Sequence, residues 1–128
     1  MPHIVVEYSA NLEGHLDPDT LVAAVHRAAL DHGLAPLDGL RTRAARRDHV
    51  RVADGDPRFG FVAVWARVGP GRSAEARASF VERLVDAVDE LCAPFVEDLP
   101  VMISGEVTEL DPAFRVNRNH VRPRLGRS

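Results

Sequence analysis

Apolar positions along the chain change their spacing from segment to segment, and these changes predict two helices set between short strands. Residues 2–8 form a short apolar run with β-branched residues at its centre, which predicts a strand that can be buried. Apolar residues then recur at helical spacing over residues 21–32. Asp17 can cap this helix, Pro18 suits its first turn, and Gly33 supplies a stop.

The middle of the chain predicts two further strands separated by a turn. Residues 37–45 are a candidate second strand, and residues 53–57 have the composition of a turn. Residues 59–68 alternate between two apolar faces, which is typical of a strand. One face carries Phe59, Phe61, Ala63 and Trp65, and the other carries Val62, Val64 and Ala66.

A second helix and a last strand follow. Ser73 is a candidate cap with Glu75 in the first turn, and Pro94 either ends the helix or kinks it. The predicted apolar stripe consists of Val81, Leu84, Val85, Val88, Leu91, Cys92 and Phe95. Pro100 opens the last strand over residues 101–110, and an arginine-rich tail occupies residues 113–128.

The order of elements predicts one α+β domain over residues 1–128, built from two similar β-α-β units. The units span roughly residues 2–56 and 57–112. Right-handed crossovers place both helices on one face of a four-stranded, mostly parallel sheet. The other face then stays uncovered although its strands are apolar on both sides, so we expect a second copy of the chain to cover it.

Composition narrows the classes of function. The chain has 128 residues, a formal net charge of −3 and a single cysteine, so no disulfide can form within it. It begins without a signal-like segment and contains no apolar run of the roughly 18–20 residues that a membrane span needs. We therefore expect a cytoplasmic protein with no membrane partner. The acidic balance and the few aromatic residues argue against a nucleic-acid partner.

Pro2 is the first candidate for chemistry. A small second residue favours removal of the initiator Met1, which would leave a secondary amine that is not part of an amide. An α-amino group titrates near ~8, and burial or nearby cations lower that pKa towards neutrality, where a general base is most effective. Proline after methionine is also common without any function.

Arg41 and Arg72 are candidate substrate-binding residues. Arg41 lies in the second predicted strand, and Arg72 lies at the turn that leads into the second helix. Guanidinium groups bind carboxylates through paired hydrogen bonds, and a helix N-terminus also favours anions. An isolated arginine is more often solvated, and Arg43, Arg46, Arg47 and Arg51 keep that interpretation.

Other catalytic patterns are missing from the sequence. The six histidines show no metal-ligand spacing with acids or cysteine, so no metal site is predicted. Cys92 lies on the apolar stripe of the second helix and is interpreted as core packing. The sequence has no nucleophile elbow, P-loop or dinucleotide-binding glycine motif.

Five segments of the chain resemble the 5-carboxymethyl-2-hydroxymuconate Δ-isomerase family. They are MPHIVVEYSANL at residues 1–12, PLDGLRTR at 36–43, ADG at 53–55, GPGRSAEAR at 69–77 and NRNHV at 117–121. The similarity follows the same order along essentially the whole chain. It is broken at residues 45–47, Ala-Arg-Arg, and at Pro94.

The resemblance implies a tautomerase-like fold assembled as a homotrimer. It also implies ketonisation of 5-carboxymethyl-2-hydroxymuconate, a dienol, to its 2-oxo isomer in homoprotocatechuate breakdown, without cofactor or metal. By position, Pro2 is the implied proton carrier, and Arg41 and Arg72 are the implied substrate-binding arginines.

Two alternatives remain open at this stage. A decarboxylase or a dehalogenase of the same superfamily would use the N-terminal proline as a charged acid rather than a neutral base. A non-catalytic binding protein on the same scaffold would not need arginines that converge on Pro2.

Overall fold

Four strands and two helices make up the structure, a computed structural model that describes residues 2–125. The strands are β1 (His3–Ser9), β2 (Arg41–Arg47), β3 (Gly60–Val68) and β4 (Val101–Glu109), and the helices are α1 (Pro18–His32) and α2 (Ala74–Cys92). Short 3-10 turns lie at Ala10–Leu12, Pro112–Phe114 and Arg122–Arg124. The order of the elements is the one that the sequence predicts.

The sheet is mixed, and its strand order is β2-β1-β3-β4. β1 pairs with β2 in parallel, β3 pairs with β4 in parallel, and the two units meet through an antiparallel pairing of β1 with β3. α1 and α2 pack against each other and against the same side of this sheet. The predicted α+β fold with both helices on one face is therefore confirmed.

Both helix starts follow their predicted caps. The Asp17 side chain accepts a hydrogen bond from the Thr20 N–H, and the Ser73 hydroxyl accepts one from the Ala76 N–H. α1 ends at Gly33, whose φ of 91° lies in the left-handed region that glycine adopts without a steric penalty. α2 ends at Cys92, before Pro94, so the proline ends the helix rather than kinking it.

The second strand is displaced from its prediction. Residues 37–40 lie outside β2, and Gly39 N–H closes a turn onto the Pro36 carbonyl. β2 pairs only with β1, so its bounds are set by the partners that β1 offers, from His3 opposite Arg41 to Ser9 opposite Arg47. Local composition carries no information about this pairing.

The core lies between the helices and one face of the sheet. Its α2 side is formed by Phe80, Leu84, Val88 and Cys92, all without exposed surface. The predicted stripe omitted Phe80 and began at Val81, which is only half-buried. Val81 and Val85 instead contact β4 at Gly105, where an added Cβ would lie 2.6 Å from Val85 Cγ2.

Neither α1 nor α2 lies on the opposite face of the sheet, although the segment after β4 crosses one end of it. The side chains on this outer face alternate with those of the core, as the period of two requires. Trp65 is 44% exposed and Met102 is 59% exposed there. In the same described range, no helix is long and apolar enough to cross a membrane.

Replacing Leu84, which has no exposed surface, tests the position of the core. We expect Leu84→Ala to lower the free energy of unfolding by about 2–5 kcal/mol, because it removes buried methyl groups and leaves a cavity. The matched control is Leu37→Ala, at a leucine that is 60% exposed, and its effect should stay within about 0.5 kcal/mol. Urea unfolding at a fixed protein concentration measures both, and equal losses would contradict this account of the core.

Candidate active site

The topology brings four strand termini to one end of the sheet. Since β1 and β2 are parallel, both begin there, and since β3 runs antiparallel to β1, β3 and β4 end there. In this register His3 lies opposite both Arg41 and Arg67. Residues far apart in sequence therefore share one small region.

Pro2 lies at this end, with its ring fully buried. Its carbonyl accepts a hydrogen bond from the backbone N–H of Arg41 at 3.1 Å. The contact places the predicted substrate-binding arginine directly beside the predicted proton carrier along the sheet. Met1, whose removal the sequence analysis expects, lies outside the described residues.

The guanidinium of Arg41 has a partner on each side. Its Nη1 lies 2.6 Å from His3 Nε2, and its Nη2 donates to Asn117 Oδ1 at 3.1 Å. His3 comes from β1, whereas Asn117 comes from the segment after β4. Arg41 is thus fixed by both ends of the described chain.

A cavity of about 930 Å³ opens on the outer face beside Arg41. Its charged lining consists of the guanidinium groups of Arg41, Arg43, Arg67 and Arg115 and the carboxylates of Glu7 and Glu106. Glu7 is already engaged, because it accepts from Trp65 Nε1 at 2.5 Å and from Arg47 Nε at 2.7 Å. The cavity therefore carries an excess of positive charge that suits an anionic ligand.

His3 also lines this cavity, and its environment favours the neutral imidazole. Partial burial lowers the pKa of His3 below 6.5, and the charges of Arg41, Arg43 and Arg115 lower it further. A neutral imidazole can accept a hydrogen bond from a guanidinium, whereas an imidazolium cannot.

The segment after β4 returns across this end of the sheet. Asn119 Nδ2 donates to the Asp38 carbonyl at 2.7 Å, and Arg122 Nε donates to the Asp38 carboxylate at 2.5 Å. Phe114 and Val116 contribute to the cavity wall. No structure or role was predicted for this arginine-rich tail, whose Arg127 lies outside the described residues.

Arg72 lies at the same end of the sheet, on the exposed turn between β3 and α2. Its Nη2 donates to the carbonyl of Leu34, in the connection between α1 and β2, at 3.2 Å. Within residues 2–125, the cavity lining includes neither Arg72 nor Pro2. The structure thus joins Arg41 to Pro2 through the backbone and keeps Arg72 outside the cavity.

The arginines at the break in the resemblance bind acidic neighbours. Arg46 contacts Glu13 at 2.9 Å and Asp48 at 2.8 Å, and Arg47 contacts Glu7. These half-exposed pairs add little to stability, and they occupy both guanidinium groups with carboxylates of the chain itself. The interpretation of Arg46 and Arg47 as surface residues agrees with these contacts.

Cys92 is buried in the core, as its place on the apolar stripe predicts. Burial raises the pKa of its thiol to about 11, so the nucleophilic thiolate is scarce at neutral pH. In the described part of the chain, no three or more of His, Cys, Asp and Glu are grouped to hold a metal ion.

The neighbours of Arg41 were not predicted from the sequence. His3 drew notice only as a histidine without metal-ligand spacing, Arg43 was interpreted as solvated, and Arg67 and Asn117 were assigned no role. The strand register and the return of the chain after β4 bring these residues to Arg41. Neither feature leaves a local pattern in the sequence.

Comparisons with known proteins agree on one family. The chain matches the 5-carboxymethyl-2-hydroxymuconate isomerase family over residues 2–125. It is 32% identical to the 5-carboxymethyl-2-hydroxymuconate Delta-isomerase of Escherichia coli over 121 residues, which cover 94% of this chain and 96% of the relative.

Solved structures show the same fold. A 5-carboxymethyl-2-hydroxymuconate isomerase from Deinococcus radiodurans R1 superposes with a TM-score of 0.86 at 27% identity, covering 96% of this chain and 92% of that one. The asymmetric trimer of wild-type F6 fused 4-OT superposes with a TM-score of 0.71 at 13% identity, covering 98% of this chain and 99% of that one.

Proposed function

The chain belongs to the 5-carboxymethyl-2-hydroxymuconate isomerase family, and we propose that it converts the dienol 5-carboxymethyl-2-hydroxymuconate to its 2-oxo isomer with Pro2 as proton carrier. Family membership makes it an isomerase. The observation that supports the mechanistic part is the hydrogen bond between the Pro2 carbonyl and the Arg41 N–H, which makes the two residues neighbours at one end of the sheet.

Removal of Met1 is the first requirement of this mechanism. It converts the Pro2 nitrogen from an amide into a secondary amine with an available lone pair. Burial of the ring disfavours the charged form of such an amine. Its pKa is then expected below the ~8 of an ordinary α-amino group, in the range of a general base at neutral pH.

The reaction moves one proton and rearranges one conjugated system. The Pro2 amine removes the proton of the 2-hydroxyl group of the substrate. The oxygen electron pair forms the C=O bond, and the conjugated double bonds shift along the carbon skeleton of the substrate. The far carbon of the system takes a proton back from the Pro2 ammonium. No electrons are gained or lost, so the proposed reaction needs no cofactor or metal.

Cations stabilise the dienolate that forms between the two proton transfers. The substrate carries carboxylates, which guanidinium groups bind through paired hydrogen bonds. Arg41 is already oriented at the cavity, and three further arginines line it. We assign substrate binding to Arg41 and Arg72, although Arg72 lies outside the cavity of the single chain, at the same end of the sheet.

A homotrimer is the assembly that we propose for this chain. The outer face of the sheet exposes Trp65 and Met102, which copies of the same chain would remove from water. The fused 4-OT protein with the same fold is a trimer. The proposed location is the cytoplasm, since the single cysteine forms no disulfide within the chain.

Changing the N-terminus tests the role of Pro2. We expect Pro2→Ala to lose most turnover of the dienol, with some residual activity because a primary amine remains. A protein that retains Met1, verified by intact mass, should be inactive because its Pro2 nitrogen is an amide. In the active protein, kcat/KM should fall as the pH drops through the amine pKa, because protonation removes the base.

Two results would contradict this role. Full activity of a protein shown by mass spectrometry to retain Met1 would exclude the amine as the base. An amine pKa well above neutrality, measured by NMR titration, would instead favour the decarboxylase or dehalogenase alternative.

Replacing the two assigned arginines tests substrate binding. We expect Arg41→Ala and Arg72→Ala each to lower kcat/KM about 10- to 100-fold with the fold intact, because each removes a pair of charge-assisted hydrogen bonds to the substrate. Arg83→Ala, at an exposed arginine of α2, is the matched control and should keep the parent value. Parent kinetics in both site variants would remove the assignment.

The mass of the protein in solution tests the trimer. Light scattering coupled to gel filtration should give three times the 14.0 kDa of the chain. Trp65→Arg should reduce the assembled fraction, because it places a charge on the face that the copies cover. A monomeric parent protein at micromolar concentration would overturn the assembly without affecting the assignment to the family.

A further inference from the structure

The contacts of Arg41 point to a role for His3, the residue that follows Pro2. We propose that His3 is a positioning residue for the isomerisation, because its neutral imidazole and the Asn117 amide hold the Arg41 guanidinium in the orientation that grips the substrate carboxylate. The proposal rests on the proposed function and adds residues to it that the sequence did not single out.

The short distance between His3 and Arg41 fixes which imidazole nitrogen carries the proton. A guanidinium has only donors, and a neutral imidazole has one donor nitrogen and one acceptor nitrogen. Since Arg41 Nη1 lies 2.6 Å from Nε2, Nε2 is the acceptor and Nδ1 carries the hydrogen. Arg43 Nη1 lies farther away, 3.3 Å from Nδ1, and finds no lone pair there in this tautomer.

His3 is therefore committed to Arg41 rather than shared between two arginines. Asn117 Oδ1 accepts from the other terminal nitrogen at 3.1 Å, so the guanidinium is held at both of its terminal nitrogens. A guanidinium has more N–H groups than these two contacts use. Arg41 lines the cavity, so its remaining N–H groups are the ones available to a carboxylate bound there.

Protonation of His3 would release Arg41. The charged groups around the imidazole are Arg41 and Arg43 from β2, Arg67 from β3, Arg115 from the segment after β4, and the N-terminal amine. The carboxylates of Glu7 on β1 and Glu106 on β4 line the same cavity, and Glu7 is bound by Trp65 and Arg47.

An imidazolium has no lone pair for Arg41 and adds a cation to those already around it. The pKa of His3 lies below 6.5, so the residue is neutral at pH 7 and charges only on acidification. The hydrogen bond from Arg41 to His3 is therefore present at neutral pH, and it is lost as the pH falls through the lowered pKa of His3.

Three variants separate positioning from a merely structural role. We expect His3→Leu to raise KM roughly tenfold with a smaller change in kcat, because it removes one hydrogen bond to the charged Arg41 guanidinium. His3→Gln should restore a KM close to that of the parent, because its amide oxygen can replace Nε2 as the acceptor. His26→Gln is the matched control, since His26 contacts Thr42, the residue after Arg41, at 2.8 Å on the helix side of β2.

The pH dependence gives a second readout that does not depend on turnover. The probe is adipate, a dicarboxylate without an enol. As the pH falls below 6.5, the affinity of the parent protein for adipate should fall relative to the affinity of His3→Gln. Isothermal titration calorimetry measures both affinities, and the titration of the adipate carboxylates is common to the two measurements.

Each outcome decides the proposal. A parent-like KM in His3→Leu, or no recovery in His3→Gln, would overturn it, and so would adipate binding that strengthens on acidification more in the parent than in His3→Gln. If His3→Leu does not fold, the comparison of the parent with His3→Gln still decides. Failure of the parent to turn over the dienol would reject the proposed function alone, because the adipate measurement would still test His3.

Discussion

The register between β1 and β2 is the constraint on which the rest of this site depends. It sets Arg41 opposite His3 and gives the Pro2 carbonyl to the Arg41 N–H. In a parallel pair, a shift by one residue would send every β2 side chain to the other face. Arg41 would then point into the apolar core beneath the helices, where an unpaired charge is strongly unfavourable.

That penalty explains how an arginine-rich strand can have a fixed position. Four of the seven residues of β2 are arginines, and Thr42 and Ala44 lie on the side of the helices. The correct register keeps Arg41 and Arg43 at the cavity and Arg47 at Glu7. Burial of small residues and solvation of charged ones thus select the same alignment that assembles the site.

Local signals were sufficient for the helices and for the order of the elements. The caps Asp17 and Ser73 and the stop at Gly33 act within a few residues, so a sequence reader can recognise them. The start of β2 and the role of Asn117 depend instead on pairing with distant segments. The resemblance to a family singled out Pro2 and Arg41, but their neighbours His3 and Asn117 became visible only in three dimensions.

The attachment of Arg41 to the segment after β4 separates what the fold requires from what the site requires. All four strands precede Asn117 in the chain, so the sheet is complete without the residue that accepts from the second terminal nitrogen of Arg41. A chain truncated before Asn117 would keep all four strands and both helices. It would lose one of the two side-chain contacts that orient the guanidinium, so its ligand affinity would fall while its architecture stayed.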